Sequence, residues 1–338
     1  MKNIAIAGVG AWGKNLLRNF YNLAGGGLVL ACDESSDRQK YVRENYSGVD
    51  VTGDYNDVIK RDDVEAVVLA TPPAAHFDMA MKAVEAGKDV FVEKPLVLSV
   101  SDGENLVEAA DKAGRIVMVG HIMVYHPCTL YLKEQIEQGT LGRIYYLYAS
   151  RVNLGKVRDI ENALWSFAPH DISIILYLLE KDPVQVTSTG SSYLQPGIED
   201  VVFTTLHFGD GTMAHIHVSW LDPHKDRRIT VVGSKKMAEF DDSVAAEKIR
   251  MYDKGVDTRQ DYETYGEYLA IRTGDIVIPQ IKTVEPLAEE CRHFLQCIDK
   301  RERPRSDGAE GLRVLKVLDA AQKSLEAGGA PVSLGVES

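Results

Sequence analysis

Apolar and polar residues in the first 120 positions of the chain come in blocks. Nearly continuous apolar runs at 4–7, 28–32, 66–70, 89–92 and 116–120 are separated by stretches, such as 15–23, 77–86 and 103–113, where apolar residues recur every three or four positions. Continuous runs suit strands buried on both faces, and the longer period suits helices that cover them. The pattern predicts an α/β fold with a doubly wound parallel sheet. Gly87 and Gly114 follow the last periodic residue of two helices, where a left-handed cap favours glycine.

Beyond residue 121 the rhythm changes. A helix over 129–138 is followed by longer strands at 143–153, 184–192, 201–208, 212–220 and 227–232, expected to pair mostly antiparallel. Phe208-Gly209-Asp210-Gly211-Thr212 reads as a hairpin turn. In the next strand Thr212, Ala214, Ile216, Val218 and Trp220 share an apolar face, while Met213, His215, His217 and Ser219, with His207 from the preceding strand, form a mixed polar one. This predicts an α+β domain whose large open sheet has helices on one side and a solvated or subunit-facing surface on the other. No metal is expected, because the hairpin register does not set these imidazoles opposite one another.

The charged, tyrosine-rich region 252–268 lacks a clear period and reads as loop or irregular helix. Helices over 285–299 and 308–325 close the chain, the first opened by Pro286. A length of 338 residues favours two domains, with a boundary expected at 122/123 and the last helices able to pack back on the first domain.

Composition narrows the function. Acidic residues outnumber basic ones 50 to 38, and no dense Lys/Arg stripe is present, so neither nucleic acid nor a membrane surface is an expected partner. The chain opens on Met1-Lys2 and an apolar strand without a charged leader, and no run approaches 18 apolar residues, so a cytoplasmic protein is expected. Cys32, Cys128, Cys291 and Cys297 lack paired spacing and read as reduced thiols; Cys291, His293 and Cys297 fall on different faces of one predicted helix, which argues against a metal set.

Candidate chemistry begins at Gly8-Val9-Gly10-Ala11-Trp12-Gly13, which follows the first strand; Asp33 closes the second strand twenty residues after Gly13. Gly8 permits a tight turn, Gly10 lets backbone approach a pyrophosphate, and Gly13 lets helix and strand pack closely. The helix N-terminus offers free N–H groups to the same ligand, and Asp33 would accept from a ribose 2′-hydroxyl, favouring NAD over NADP. Ser35, Ser36 and Arg38 lie close enough to accommodate a 2′-phosphate.

Thr71-Pro72-Pro73 with His76, and Glu93-Lys94-Pro95, end two further strands at the carboxyl edge, where an open parallel sheet takes its ligands. The run Trp165-Ser166-Phe167-Ala168-Pro169-His170-Asp171 is read as a helix start, with His170 in the first turn. There the helix dipole would keep its imidazole neutral and able to act as a base. Arg151, Asn153, Lys156 and Arg158 concentrate basic character at a strand end, either as a solvated loop or as a clamp for a diphosphate or carboxylate.

Through its GxGxWG run, Thr71–His76, Glu93-Lys94-Pro95 and His170-Asp171, the chain resembles the Gfo/Idh/MocA oxidoreductases over nearly its whole length. The stretches 151–158, 164–171 and 219–234 are most similar to UDP-N-acetylglucosamine 3-dehydrogenases within that family. The resemblance implies an NAD-binding domain at 1–122 and a substrate-binding and oligomerisation domain at 123–338. It implies a cofactor site of Gly8, Gly10, Ala11, Trp12, Gly13, Asp33, Thr71, Pro72, His76, Glu93, Lys94 and His121. A substrate site of Lys94, Tyr125, His126, Arg151, Asn153, Arg158 and Asp171 follows in the same way.

The implied reaction is NAD-dependent oxidation of the 3-hydroxyl of a UDP-amino sugar, with Lys94 and His170 handling the proton and Asp171 available to orient the ring. Many members carry an aspartate where this chain has Ser166, so a three-residue relay is not expected. The resemblance also implies a homodimer or homotetramer formed through the open sheet, an aminotransferase as pathway neighbour, and a place in nucleotide-sugar metabolism toward lipopolysaccharide or lipid A. A UDP-sugar uronate, a free polyol such as inositol, and a non-catalytic NAD(H)-binding regulator remain the alternatives.

Overall fold

The computed structural model describes residues 2–335 except Ala24, Gly26 and 259–268. The chain divides into two compact units, one comprising Met1–Tyr125 with Val284–Lys316, the other His126–Thr283 with Val317–Ser338.

The first unit alternates strand and helix: β1 (Ile4–Ala7), α1 (Gly13–Leu23), β2 (Leu28–Cys32), α2 (Ser36–Asn45), β3 (Asp50–Thr52), α3 (Tyr55–Lys60), β4 (Ala66–Leu69), α4 (His76–Glu85), β5 (Asp89–Glu93), α5 (Val100–Ala113) and β6 (Val117–Gly120). All six strands pair in parallel in the order β3-β2-β1-β4-β5-β6, the doubly wound sheet expected from the apolar runs. β1 and β4 are buried at every residue, which is why they carry no alternation. β3 was not anticipated, because three residues are too few to make a run.

Gly114 caps α5 with φ 62°, as expected. The later helix Pro286–Lys300, labelled α8 below because two helices intervene, also belongs to this unit. Phe20 of α1, Phe91 of β5 and Phe294 of that helix meet edge to face with centroids 5.7–6.1 Å apart, holding the helix on the sheet.

The second unit holds α6 (Pro127–Glu137), β7 (Ile144–Val152), α7 (Ala163–Leu179), β8 (Pro183–Ser191), β9 (Val201–Phe208), β10 (Met213–Ser219), β11 (Asp226–Gly233), β12 (Met237–Asp241), β13 (Ile249–Thr258), β14 (Leu269–Val277) and β15 (Val332–Ser333). Its nine-stranded sheet runs β14-β13-β12-β11-β7-β10-β9-β8-β15, antiparallel throughout except between β7 and β10. A final helix, α9 (Gly308–Glu326), carries residues of both units.

Ala214, Ile216, Val218 and Trp220 are fully buried on the face where α7 packs. Met213 lies opposite His207, and His215 opposite Thr205, so the histidines of the other face are offset as the hairpin predicted.

Two expectations need correction. Region 252–268 is not loop or irregular helix where it is described: residues up to Thr258 lie in β13, paired with β14, while 259–268 fall outside the described residues. Cross-strand pairing, invisible to a local period, supplies the order. Nor does α7 start at Pro169. Asn162 caps it, its side chain accepting from Trp165 N at 3.1 Å, and Pro169 sits inside the helix. An asparagine cap three residues before an aromatic outweighed the proline signal.

Candidate active site

In the first unit the strand ends converge. Gly8 has φ +91°, and a Cβ there would lie 2.5 Å from the carbonyl oxygen of Ala70 at the end of β4. A Cβ on Gly13 would lie 2.0 Å from the Gly8 carbonyl oxygen, whereas Gly10 has nothing nearer than Arg38 at 3.9 Å and so leaves its backbone open to a ligand. Asp33 Oδ2 accepts from Val9 N at 2.7 Å, Oδ1 accepts from Ser35 N at 2.9 Å, and Arg38 Nη1 stands 3.3 Å from Oδ2. These residues fit a dinucleotide: a glycine cradle that a side chain would fill, with a fixed carboxylate beside it.

Glu93 links this loop to the lysine. Trp12 Nε1 donates to Glu93 Oε1 at 2.5 Å, Lys94 N donates to Oε2 at 3.2 Å, and the carboxyl rests on Gly120, whose Cβ position is 3.0 Å from it. Burial pushes the Glu93 carboxyl up to about 7, against the lowering effect of the Trp12 and Lys94 donors. Thr71 and Pro72 end β4 at the same edge, both solvent-accessible.

His76 is fully buried, with Nδ1 2.9 Å from Pro95 O and Nε2 2.9 Å from Thr71 O. Its ring ties two strand ends together, with both ring nitrogens at backbone carbonyls and neither open to a ligand.

His121, next to Gly120, is 2% exposed, and neither ring nitrogen has a hydrogen-bond partner among the described residues. Burial, followed by the Lys94 charge, holds its pKa down to about 3, so the ring is neutral at any working pH. Tyr125 is buried, its hydroxyl 3.1 Å from Ser306 Oγ and its ring under the Arg305 guanidinium, so it is packed within the first unit rather than exposed as a ligand.

In the second unit, Arg151 and Asp171 hold each other. Arg151 Nε and Nη2 donate to the two oxygens of Asp171 at 2.9 and 2.8 Å, both residues being buried. Neither is free as expected: Arg151 is not an open clamp, and Asp171 orients this guanidinium rather than His170. His170 lies two turns into α7, partly exposed, so the dipole of the first turn does not govern its ring.

His126 caps α6, its Nδ1 accepting from Cys128 N at 3.1 Å, with Nε2 3.6 Å from Asp242 Oδ1. Asn153 continues the β7 pairing through Ser219 O at 3.1 Å. Arg158 is exposed in the following loop, 3.7 Å from Glu161, and Lys156 is exposed beside it.

Two residues escaped the sequence reading. Glu290 of α8 is fully buried in the apolar stripe of Leu287, Cys291 and Phe294, its carboxyl oxygens unpartnered among the described residues. Burial and then the Glu93 charge raise its pKa well above the carboxylate range. An acid at an apolar-period position was the available signal. Arg227 stands directly opposite Arg151 on the neighbouring strand, a juxtaposition that exists only once β7 and β11 are in register. Among the described residues no group of three metal-ligating side chains occurs, and no helix is long and apolar enough to cross a membrane.

Comparison with known proteins follows the same two-part division. Residues 2–121 match the Gfo/Idh/MocA oxidoreductase family with an NAD-binding Rossmann fold, and residues 129–239 match the C-terminal domain of that family. Inositol 2-dehydrogenase of Salmonella typhimurium is 30% identical over 257 residues, 72% of this chain and 75% of that protein. A 2,7-anhydro-N-acetylneuraminate hydratase of Mediterraneibacter gnavus is 28% identical over 251 residues, 70% of this chain and 66% of its own length. UDP-N-acetylglucosamine 3-dehydrogenase from Acidithiobacillus ferrooxidans shares the fold with a TM-score of 0.79 at 23% identity, covering 96% of this chain and 98% of that one.

Proposed function

The chain belongs to the Gfo/Idh/MocA family of NAD-dependent oxidoreductases acting on CH–OH groups, and on that premise we propose that it oxidises the 3-hydroxyl of UDP-N-acetylglucosamine to the 3-keto sugar. The observation that carries the reading is Glu93, which accepts from Trp12 in the glycine loop and from the backbone of Lys94. That bond pair sets the lysine beside the loop that binds the dinucleotide.

Bound NAD supplies the hydride acceptor. Lys94 donates to the sugar oxygen and stabilises the negative charge that grows on it, while His170, a partly exposed imidazole, takes the hydroxyl proton. Arg151 and Asp171 are committed to each other, so neither is assigned as a ligand. The nearby cofactor contacts assigned are Gly10, Ala11, Trp12, Asp33, Thr71, Pro72 and His121, with Gly8, Gly13 and His76 shaping the cradle. For the sugar nucleotide the assigned contacts are Lys94, His126, Asn153 and Arg158, and the second unit is the substrate domain.

Self-association through the open sheet belongs to the same reading. Tyr146, Tyr148, Phe203 and Met213 are each at least 40% exposed on its uncovered face. An apolar aromatic patch of that kind marks an interface.

The experiment is absorbance of reduced nicotinamide after mixing protein, NAD and UDP-N-acetylglucosamine, with an aminotransferase to remove the ketone. Reduction with that sugar supports the reading; turnover of myo-inositol alone sinks it. The polyol is the second reading, favoured by the 30% identical inositol 2-dehydrogenase.

A further inference from the structure

Successive residues of a strand face opposite sides of the sheet, and β11 carries two arginines in succession whose surroundings differ sharply. Arg228 faces carboxylates: Asp226 at 3.3 Å, Glu239 at 3.8 Å and Asp241 at 4.0 Å. That is a structural guanidinium.

Arg227 faces the other way, on the side of Ile229 and Val231, where α7 packs. Its neighbour across β7 is Arg151, another cation, in direct register. The two carboxylates within its electrostatic reach are Asp171 and Asp242, and each is engaged elsewhere. Asp171 spends both oxygens on Arg151, and Asp242 Oδ1 accepts from Lys248 Nζ at 2.6 Å with His126 Nε2 3.6 Å away. The Arg227 guanidinium is exposed, and among the described residues it makes no hydrogen bond or ion pair. Partial burial and repulsion from Arg151 both lower its pKa, the signature of a cation short of negative charge.

Two guanidiniums in direct register, with Asp171 committed to Arg151 and Asp242 to Lys248, leave an excess positive charge. A bidentate oxyanion would relieve it, and a planar five-donor fork is built to bind one. His170 is one residue before Asp171 on α7, so the anion would lie by the helix that carries the proposed base. We propose that Arg227 is the anchor for the anionic group of the substrate, a phosphate or carboxylate oxygen pair, and so a specificity-determining residue of this enzyme. The inference deepens the sugar-nucleotide reading and rests on it only for the identity of the anion.

The test uses the full-length protein and two probes, UDP for a diphosphate and glucuronate for a carboxylate, titrated calorimetrically into wild type, Arg227→Met and Arg227→Lys. Arg227→Met is expected to weaken binding of one probe by ~10-fold or more, with Arg227→Lys intermediate because it keeps the charge but not the fork. NAD affinity and the unfolding midpoint should stay at wild-type values, which separates lost anion binding from misfolding. If Arg227→Met does not fold, severalfold weaker binding in Arg227→Lys carries the test.

Weakened UDP binding supports the anchor and the diphosphate. Weakened glucuronate binding, with UDP unaffected, supports the anchor while removing UDP-N-acetylglucosamine as substrate. Equal binding of both probes to wild type and Arg227→Met, or binding of neither to wild type, overturns the proposal.

Discussion

Arg151 on β7 and Asp171 on α7 form a two-point ion pair, guanidinium fork to carboxylate, at 2.9 and 2.8 Å in a buried setting. The pair crosses from strand to helix, so it fixes where the His170 turn of α7 sits over the sheet. It also removes from the substrate site the two groups that the sequence offered most readily as ligands.

Breaking this pair one side at a time should be far worse than removing it whole. Asp171→Leu or Arg151→Met leaves a buried charge without its partner and should cost about 3–5 kcal/mol, while the double variant Arg151→Met/Asp171→Leu should cost less than either. Urea unfolding of the four proteins gives the coupling energy; strict additivity would mean that the ion pair contributes no interaction of its own.

Lys94 carries the proposed chemistry without being needed for the cofactor cradle. Lys94→Ala should lower kcat by about 10³-fold, at the middle of the range for a positioned proton donor, while NAD binding stays measurable. Stopped-flow turnover with a parallel NAD titration checks both halves. A wild-type rate in this variant would remove the lysine from the mechanism.

His170→Ala should reduce kcat by roughly a hundredfold if the ring is the base. Because Asp171 is committed to Arg151, the double substitution at that pair should leave the acid limb of the pH–rate profile in place, shifted by less than the loss of a His-orienting carboxylate would demand. Comparing the two pH profiles distinguishes a lone histidine from a histidine–aspartate couple.

Gly13 is a packing requirement. A methyl group there would meet the Gly8 carbonyl oxygen at 2.0 Å, a backbone atom with no flexible side chain to give way. Gly13→Ala should therefore destabilise the protein by about 1–3 kcal/mol and weaken NAD more than tenfold, because the displaced segment is the cradle itself. Thermal unfolding with and without NAD reads both effects.

His121 is one buried ring through which stability depends on acid. Its folded pKa, held down to about 3, lies below the unfolded value near 6.5, so below pH 6.5 the unfolded chain binds the extra proton and stability falls as pH falls toward 3. At pH 5 the contribution is about 2 kcal/mol. His121→Gln, which cannot take up a proton, should show a flatter decline between pH 7 and 5 in guanidinium unfolding; an unchanged slope would show that the ring is not what makes the protein acid-sensitive.

The first unit was legible because its signals are local. A strand buried on both faces must be apolar along its length, a helix covering it must repeat at 3.6 residues, and a dinucleotide turn needs glycine at Gly8 for its positive φ and at Gly13 for the carbonyl five residues back. Lys94 could be set at the carboxyl edge for the same reason, since a strand end is a local fact. The short β3 went unseen because three residues carry too little pattern, and β13 because its order comes from pairing with β14.

The second unit's site depended on distance in sequence. Asp171 is twenty residues from Arg151, and Arg227 is seventy-six from it; which of them shares a carboxylate and which is left without one depends on strand register and on where α7 begins. Residue types and local periods determined the architecture, the cofactor cradle and the position of Lys94. Only the tertiary structure decided the partners of Arg151, Asp171 and His76 and the surroundings of Arg227, because a polar side chain's partner is chosen by long-range packing.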